Sequence, residues 1–442
     1  MENAVSRKER MKWYLHDRVG MFIHWGLYAV MGHGEWAMSR ERVSSEEYQQ
    51  YFKTFDPKSY NPAQWAKMAK NAGVKYAVMT AKHHEGFCLF DSAFTDYKIT
   101  NTAYGKDAIR EFLDAFRAEG IRVGIYYSLI DWHHRDFPTY GDMYAPMRDN
   151  PAYEAEESQK DFRRYLAYMH AQVEELCSQY GKLDLFWFDY SYGDLRGEAW
   201  GATKLINMVR RYQPDIIINN RLEVSGSGFG SLVTSCPNVY SGDFVTPEQI
   251  IPPAGIRNEN GEPVPWECCL TTNNYWGYCE KDHAFKEASL IIRKLVECVS
   301  KSGNMLINVG PDKDGIIPEK SVRIFNELGA WLRMNGESIY GCGYAGLPKP
   351  ETGRITYNPQ TNTYYFHLQE TVIGPVLLEH FPKDKIKKVQ LLLNGRTLRL
   401  CDTWMVDNYP DQAFITLGEN EEYTYTLPDP CDTVIKITMK ED

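Results

Sequence analysis

The chain has 442 residues, of which 43% are hydrophobic and 24% are charged, and its formal net charge at pH 7 is −10. This length suggests two or three domains, or one large barrel with an appendage. The acidic balance argues against a nucleic-acid partner, because phosphate binding needs a basic face, and no stretch of about 18 apolar residues predicts a membrane-spanning helix.

Short apolar runs alternate with helical patterns along the first part of the chain. The runs predict strands at residues 19–26, 74–84, 121–132, 183–190, 215–221 and 304–310. Helices are predicted at 62–73, 108–120, 161–181, 198–214, 284–303 and 321–336, and several of them end in glycine, a common helix stop. Near-continuous apolar strands that alternate with helices are typical of a parallel sheet covered on its faces. We therefore predict an α/β fold built on a (β/α)8-like barrel.

The pattern changes after the last of these helices. Residues 341–353 are rich in glycine and proline and are predicted to form a linker. Shorter alternating runs follow, and they predict strands at 354–359, 362–369, 387–395, 397–406, 413–418, 422–428 and 433–440. The predicted organisation is a barrel domain at 1–342, followed by a β-sandwich domain at 343–442.

The amino-terminal segment and the cysteines bear on the cellular compartment. The first twenty residues are polar and lack the apolar core of a signal peptide, so a cytoplasmic location is expected. The alternative is export to the periplasm or beyond, with a leader removed before the numbering begins. The 10 cysteines form no CxxC pair, and those within apolar runs, such as Cys88 and Cys298, are expected to be reduced and buried.

Polar and aromatic side chains follow the predicted barrel strands where each strand ends. In a parallel barrel these C-terminal strand ends form the active face. The residues there are His24, Trp25, His83, His84, Tyr126, Tyr127, Asp131, Trp132, Asp189 and Arg221. A single histidine or arginine at a strand end is more often structural. Polar ends on several neighbouring strands together predict a concave polar pocket with aromatic walls.

Asp189 has the weakest structural explanation, because it ends the most apolar strand, LFWFD. A buried charge must be paired, protonated or functional. A glycosidase needs two carboxyl groups, one to attack or activate water and one to protonate the leaving oxygen. If Asp189 is the first, then Glu248, Glu267 and Glu35 are candidates for the second, and their spacing does not choose among them. Aromatic residues, 14% of the chain, fit a sugar site, although a large aromatic core explains them more simply.

The sequence motifs of metal sites, nucleotide sites and serine nucleophiles are absent. None of the 11 histidines forms an HxH pair, and HExxH is absent, so no metal is predicted. No GxGxxG follows a predicted strand, and neither GxxxxGK[ST] nor GxSxG occurs. We therefore predict no nucleotide or other cofactor.

Several segments together resemble the family 29 α-L-fucosidases. They are MFIHWG, EWAMSRER, AKHHEGFCLF, GIYYSLIDW, WFDY, WECCLTTNNYWGY, NMLINVGPDKDGIIPE and NGESIYG. The resemblance runs from about residue 10 to 345. It implies a retaining exo-glycosidase that releases terminal α-linked L-fucose, with a (β/α)8-like barrel followed by a β-sandwich.

The resemblance also assigns roles to individual residues. It places the nucleophile on Asp189 and the acid/base on Glu248, with Glu267 as the alternative. The substrate-binding residues that it implies are His24, Glu35, Trp36, His83, His84, Tyr126, Arg221, Glu267 and Trp276. Trp276 corresponds to an aromatic residue near the methyl group of the sugar. Tyr190 departs from the family pattern, because many relatives have glycine or another residue after the nucleophile.

Two other classes of protein remain as alternatives. A non-catalytic fucose-binding module would keep the pocket without turnover, and a metal-dependent hydrolase would lose activity with a chelator. The expected partner is a fucosylated oligosaccharide or glycoconjugate, with no nucleic acid and no membrane. The sequence does not choose among α1,2, α1,3, α1,4 and α1,6 linkages, and the β-sandwich is expected to be structural.

Overall fold

A seven-stranded parallel sheet is the centre of the computed structural model, which describes residues 6–226, 228–418 and 426–440. Its strands are β1 (Val19–Ile23), β2 (Tyr76–Lys82), β3 (Arg122–Ser128), β4 (Leu185–Asp189), β5 (Ile217–Ile218), β6 (Glu267–Thr271) and β7 (Asn304–Val309). They are arranged in the order β5-β4-β3-β2-β1-β7-β6. Every residue of β1, β2 and β7 is buried, which explains why these strands read as continuous apolar runs.

The segment 243–249 joins the two edges of this sheet. Phe244 forms a parallel bridge with Asn219, just after β5, and Val245 forms one with Trp266, just before β6. The amide of Asp243 donates to the carbonyl of Ile218 at 2.6 Å. The segment thus takes the place of an eighth strand, and the predicted (β/α)8-like barrel is confirmed.

The barrel interior is filled by alternate residues of its strands. This inner cluster contains Met11, Tyr14, Phe22, Tyr76, Val78, Tyr126, Leu185, Trp187, Ile217, Phe244, Cys269 and Leu306. Large aromatic rings pack directly on one another within it, for example Phe22 on Trp187, with ring centroids 5.2 Å apart. Much of the high aromatic content therefore belongs to the core.

Helices alternate with the barrel strands along the chain. They are α1 (Arg7–Arg10), α2 (Lys12–Asp17), α3 (Tyr28–Met31), α4 (Ala37–Arg40), α5 (Ser45–Thr54), α6 (Pro62–Asn71), α7 (Ala108–Ala118), α8 (Glu154–Glu157), α9 (Phe162–Gln179), α10 (Ala202–Tyr212), α11 (Ala288–Ser300) and α12 (Glu319–Asn335). In α7 the buried residues Ile109, Phe112, Leu113 and Phe116 follow the helical period and form its inner face. The helix predicted from residue 198 begins only at Ala202, because the preceding residue, a glycine, has a left-handed φ of 63°. No helix in the described ranges is long and apolar enough to cross a membrane.

Two antiparallel sheets follow the barrel. Their strands are β8 (Gly343–Tyr344), β9 (Gly353–Asn358), β10 (Thr363–Leu368), β11 (Val376–Pro382), β12 (Ile386–Leu391), β13 (Gln412–Ile415) and β14 (Thr433–Met439). One sheet has the order β12-β14-β10-β9-β8, and the other pairs β11 with β13. Phe366, Leu378 and Ile415 belong to a core shared by the two sheets, and the predicted β-sandwich is confirmed.

In the sandwich the strand predictions were wrong at three places and untested at one. The run at 397–406 forms isolated bridges and a 3-10 turn, Trp404–Val406, instead of a strand. Strand β11 was not predicted, and β8 lies within the predicted linker. Most of the predicted strand 422–428 lies outside the described residues.

The sandwich is fastened to α11 and α12 of the barrel. Arg293 donates to the carbonyl of Cys431 at 2.8 Å, and the indole of Trp331 donates to the carbonyl of Asp432 at 3.4 Å. All the cysteines are free, and Cys88 and Cys298 are buried as expected.

Candidate active site

A cavity of about 130 Å³ opens at the C-terminal ends of the barrel strands. It is smaller than the roughly 300–1,000 Å³ clefts that hold drug-sized ligands. Its lining residues are Phe22, His24, Trp36, His83, His84, Tyr126, Tyr144, Trp187, Asp189, Tyr190, Tyr192, Arg221, Glu248 and Trp276. The structure therefore gathers the site residues that the family resemblance implies around one small hollow, with the exception of Glu35 and Glu267. The other residues predicted at the strand ends, Trp25, Tyr127, Asp131 and Trp132, are buried and do not line it.

One guanidinium links the two predicted catalytic carboxylates. Arg221 Nη1 lies 2.8 Å from Asp189 Oδ1, and Arg221 Nη2 lies 2.7 Å from Glu248 Oε2. The Arg221 Nε donates to Thr246 Oγ1 at 2.9 Å, and the guanidinium lies 4.5 Å from the ring centre of Trp187. Burial alone would lower the pKa of Arg221, but the two carboxylates outweigh it and raise that pKa. Arg221 is therefore a fixed positive charge between two acids.

Asp189 ends β4 with several donors aimed at its carboxylate. Besides Arg221, the hydroxyl of Tyr126 donates to Oδ2 at 2.8 Å and the amide of Tyr190 donates to Oδ1 at 2.9 Å. Tyr190 has a left-handed φ of 82°, which non-glycine residues rarely adopt. Burial and the neighbouring Asp189 raise the pKa of Tyr126, so its hydroxyl stays protonated and donates. The apolar strand can end on a carboxylate because these donors satisfy both of its oxygens.

Glu248 stands closer to solvent than Asp189. Its side chain is 41% exposed, whereas that of Asp189 is 16% exposed. The indole of Trp276 donates to Glu248 Oε1 at 3.2 Å, and the Trp276 ring packs against His24 with centroids 5.1 Å apart. Glu248 is therefore at the cavity mouth, where a proton can be exchanged with a leaving group or with water.

His24 and His84 are neutral acceptors, and their partners fix the tautomer. Asn308 donates through Nδ2 to the carbonyl of Trp276, so its Oδ1 accepts from His24 Nδ1, 2.7 Å away. Ser128 donates to the carbonyl of Ile130, so its Oγ accepts from His84 Nδ1 at 2.8 Å. Burial, followed by the neighbouring His83, lowers the pKa of both His24 and His84. Each ring therefore keeps the lone pair of Nε2 for a ligand hydroxyl.

Glu35 lies beside the cavity and not in its wall. It is 4% exposed, and its Oε2 accepts from the amide of Gly277 at 2.8 Å. That contact holds the loop that carries Trp276. The direct substrate contact predicted for Glu35 stays a prediction.

Glu267 lies in the barrel interior, and its prediction as a site residue needs correction. It is 0% exposed and does not line the cavity. The hydroxyl of Tyr76 donates to its Oε2 at 2.5 Å, and the indole of Trp187 donates to its Oε1 at 3.3 Å. The physical reason is its place at the start of β6, since only the opposite ends of the strands reach the active face.

We expect Glu267 to affect stability in a pH-dependent way. Burial raises the pKa of Glu267 to about 7, above the value of about 4.3 of an unfolded chain. The protonated group thus contributes stability that is present below about pH 4.3 and is lost as the pH rises through about 7. A Glu267→Gln variant, which cannot ionise, should gain in stability relative to the wild type by about 3 kcal/mol between pH 4 and pH 8. Unfolding at both pH values checks this, and an unchanged difference between the two proteins would contradict it.

The structure adds lining residues that the sequence did not single out. Tyr144 and Tyr192 stand on long loops, and their rings pack near Tyr190 at centroid distances of 5.6 and 4.9 Å. The repeated tyrosines directly after Asp189, in DYSYGD, were a usable signal for this wall. The sequence around Tyr144 contains no comparable pattern.

Two carboxylates on one arginine, at the C-terminal face of a barrel and in a small cavity of aromatic rings and histidines, define a glycoside hydrolase. A family model described as alpha-L-fucosidase matches residues 1–337, and the chain belongs to this family.

Solved structures and curated relatives agree with that family. Alpha-L-fucosidase isoenzyme 1 from Paenibacillus thiaminolyticus is 51% identical, with a TM-score of 0.94 over 99% of this chain and 100% of that chain. A Bacteroides thetaiotaomicron GH29 alpha-L-fucosidase, trapped as a covalent intermediate with 2-fluoro-fucosyl fluoride, is 26% identical, with a TM-score of 0.82 over 100% of this chain and 98% of that chain. The human tissue alpha-L-fucosidase is 26% identical over 88% of this chain and 79% of its own length.

Proposed function

We propose that the chain is a retaining exo-α-L-fucosidase, with Asp189 as the nucleophile and Glu248 as the acid/base. The observation that carries this proposal is the Arg221 guanidinium, which holds Asp189 at 2.8 Å and Glu248 at 2.7 Å beside one cavity. Retaining glycosidases need two carboxyl groups close together, about 5–5.5 Å apart. The covalent intermediate of the similar Bacteroides thetaiotaomicron enzyme supports a double displacement.

In the first step an Asp189 oxygen attacks the anomeric carbon. A covalent bond forms between Asp189 and fucose, while the bond from the anomeric carbon to the leaving oxygen breaks. Glu248 in its protonated form gives its proton to that oxygen. The donors from Tyr126 and Tyr190 orient the attacking carboxylate.

In the second step Glu248 removes a proton from water. Asp189 carries no charge once it is an ester. Of the two acids that Arg221 contacts, only Glu248 can then be a carboxylate. Glu248 acts in this step in its ionised form, which a general base needs. Water attacks the anomeric carbon, the ester bond breaks and Asp189 is released as a carboxylate.

The cavity also accounts for selection of a single terminal sugar. Its volume of about 130 Å³ leaves room for one ring, so the enzyme acts at a chain end. Nε2 of His24 and of His84 accepts hydrogen bonds from sugar hydroxyls. The ring of Trp276 supplies an apolar face for the C6 methyl group, which distinguishes fucose from galactose of the same hand.

Proton NMR of the first product tests this function. With an aryl α-L-fucoside we expect α-L-fucose to appear first and mutarotate later, because two displacements restore the configuration. The matched control is the aryl α-L-galactoside, which differs at C6 alone and should be cleaved much more slowly. The proposal would be contradicted by β-L-fucose as the first product. Tight binding without release of fucose would indicate a non-catalytic binding module.

A further inference from the structure

Lys82 and Asp131 form a buried ion pair that the mechanism above does not use. Lys82 Nζ lies 3.1 Å from Asp131 Oδ2, and the two side chains are 0% and 1% exposed. The rings of Tyr127, Tyr165 and Tyr168 surround the amine, with their centres 4.6, 5.8 and 5.7 Å from Nζ. Removing two charges from water is costly, so an ion pair in this place needs an explanation.

The position of Lys82 depends on a β-bulge near the end of β2. In the ladder between β2 and β3, Thr80 pairs with Tyr126 and Lys82 pairs with Tyr127. Ala81 is therefore an extra residue on β2 with no partner of its own in this ladder. A bulge of this kind bends the strand and changes the direction of the side chains that follow it.

The bulge reverses which side chains of β2 face the barrel interior. Tyr76 and Val78 belong to the inner cluster, and strict alternation would place Lys82 on the same face. The Lys82 amine lies instead on the outer face, among the rings of α9, and the next residue, His83, lines the cavity. The end of β2 can therefore present histidines to the cavity only while the lysine is held on the other side.

Asp131 holds this strand end against the loop that follows β3. Its Oδ1 accepts from two amides of its own loop, at 3.0 and 2.8 Å. The amide of Trp132 donates to the carbonyl of His84 at 2.9 Å. A Cβ atom built on Gly86 would lie 2.1 Å from Asp131 Oδ1, so Asp131 also packs against the turn after His84. The ion pair thus joins the two segments directly behind the histidines of the cavity.

We propose that Lys82 and Asp131 are positioning residues, whose ion pair holds the β2 bulge and thereby aims the two histidines after Lys82 at hydroxyls of the bound sugar. Uncharged groups can often replace a buried ion pair with little loss of stability, so stability alone does not explain this pair. The effect on substrate rests on the proposed function, whereas the effect on the geometry of the histidines does not.

The uncharged double variant Lys82→Met/Asp131→Asn tests this role. Methionine fills the space of the lysine stem, and the asparagine amide oxygen can still accept from the loop amides, so the protein should fold. We expect kcat/KM for an aryl α-L-fucoside to fall by roughly 10–100-fold, because the binding groups are displaced. Thermal unfolding, measured in the same buffer, checks that the variant is folded at the assay temperature.

Deoxy sugars distinguish positioning from a general structural loss. We would measure kcat/KM for the aryl α-L-fucoside and its 2-, 3- and 4-deoxy analogues with the wild type and the double variant. Loss of a hydroxyl that the histidines hold should cost the variant about tenfold less than it costs the wild type. Loss of a hydroxyl that other groups hold should cost both proteins equally. An equal fall for all four substrates would mean that the ion pair is only structural, and the proposal fails.

Histidine-selective ¹⁵N NMR tests the geometry without relying on fucosidase activity. In the wild type, His84 Nδ1 lies 2.8 Å from Ser128 Oγ, and we expect one neutral tautomer protonated at Nδ1. In the double variant this hydrogen bond should be lost, so the ring should show a mixture of tautomers. A His84→Gln variant assigns the signal. Unchanged His84 ring signals would overturn the proposal, whether or not the wild type cleaves fucosides.

A buried pair in the sandwich provides the matched control. His367 Nδ1 lies 2.7 Å from Asp432 Oδ2, and both side chains are fully buried. The double variant His367→Gln/Asp432→Asn should alter stability without changing the His84 signals or the ratios among the four substrates. Equal changes in both double variants would contradict a specific role for the pair at the end of β2.

Discussion

Asp189→Ala is expected to lower kcat for an aryl α-L-fucoside by several orders of magnitude, because it removes the atom that bonds to the sugar. The cavity should still bind fucose, since His24, His84 and Trp276 remain in place. The loss should therefore be in kcat more than in KM. Steady-state kinetics of the purified variant would show it.

Added azide provides a second test of Asp189 as the nucleophile. In Asp189→Ala the anion can enter the vacated space and attack from that face, which would give β-L-fucosyl azide. The control is Asp215→Asn, an exposed acid in the turn before β5, which should behave as the wild type. Near-normal turnover by Asp189→Ala would remove this residue as the nucleophile.

Glu248→Ala should affect substrates according to their leaving groups. Alcohols such as another sugar need a proton to depart, so their cleavage should slow by roughly 10²–10⁴-fold. An activated aryl fucoside needs little help in the first step, and its fucosyl ester should then accumulate, because no base remains to activate water. Burst kinetics with a dinitrophenyl fucoside and with a disaccharide would separate the two effects.

Azide should rescue Glu248→Ala with the opposite stereochemistry. The anion needs no general base, so it attacks the ester with Asp189 and gives α-L-fucosyl azide. Glu267→Gln is the control, because Glu267 lies in the barrel interior beneath Trp187 and should show no rescue. Rescue in a Glu267 variant, and none in Glu248→Ala, would contradict the assignment.

The barrel could be predicted because parallel strands that are buried on both faces consist of nearly continuous apolar residues. Strand β6 was missed, since the charged Glu267 and the polar Thr271 interrupt such a run in ECCLT. The closing segment 243–249 was missed as well, because only Phe244 and Val245 are apolar and Pro247 cannot donate to a ladder. The conformation of short, irregular strands of this kind depends on pairing with neighbouring strands, so the local sequence does not predict it.

The candidate site shows the same limit. Asp189 was found from the sequence because it ends an apolar strand, and the histidines were found at other strand ends. Glu267 begins its strand, whereas the active face of a parallel barrel lies at the C-terminal ends of the strands. Its exclusion from the site could have been predicted from the sequence only if β6 had been recognised as a strand. The bridging of Asp189 and Glu248 by Arg221 joins three separate segments of the chain, and spacing along the chain cannot show it.

The most direct test of the central claim is to trap and locate the covalent intermediate. The intact protein is incubated with 2-deoxy-2-fluoro-α-L-fucosyl fluoride, digested with pepsin and sequenced by tandem mass spectrometry. We predict one fucosyl adduct per chain, on the carboxylate of Asp189, and its loss in Asp189→Ala. An adduct on any other residue, or turnover of the reagent to β-L-fucose products with no adduct, would contradict the account.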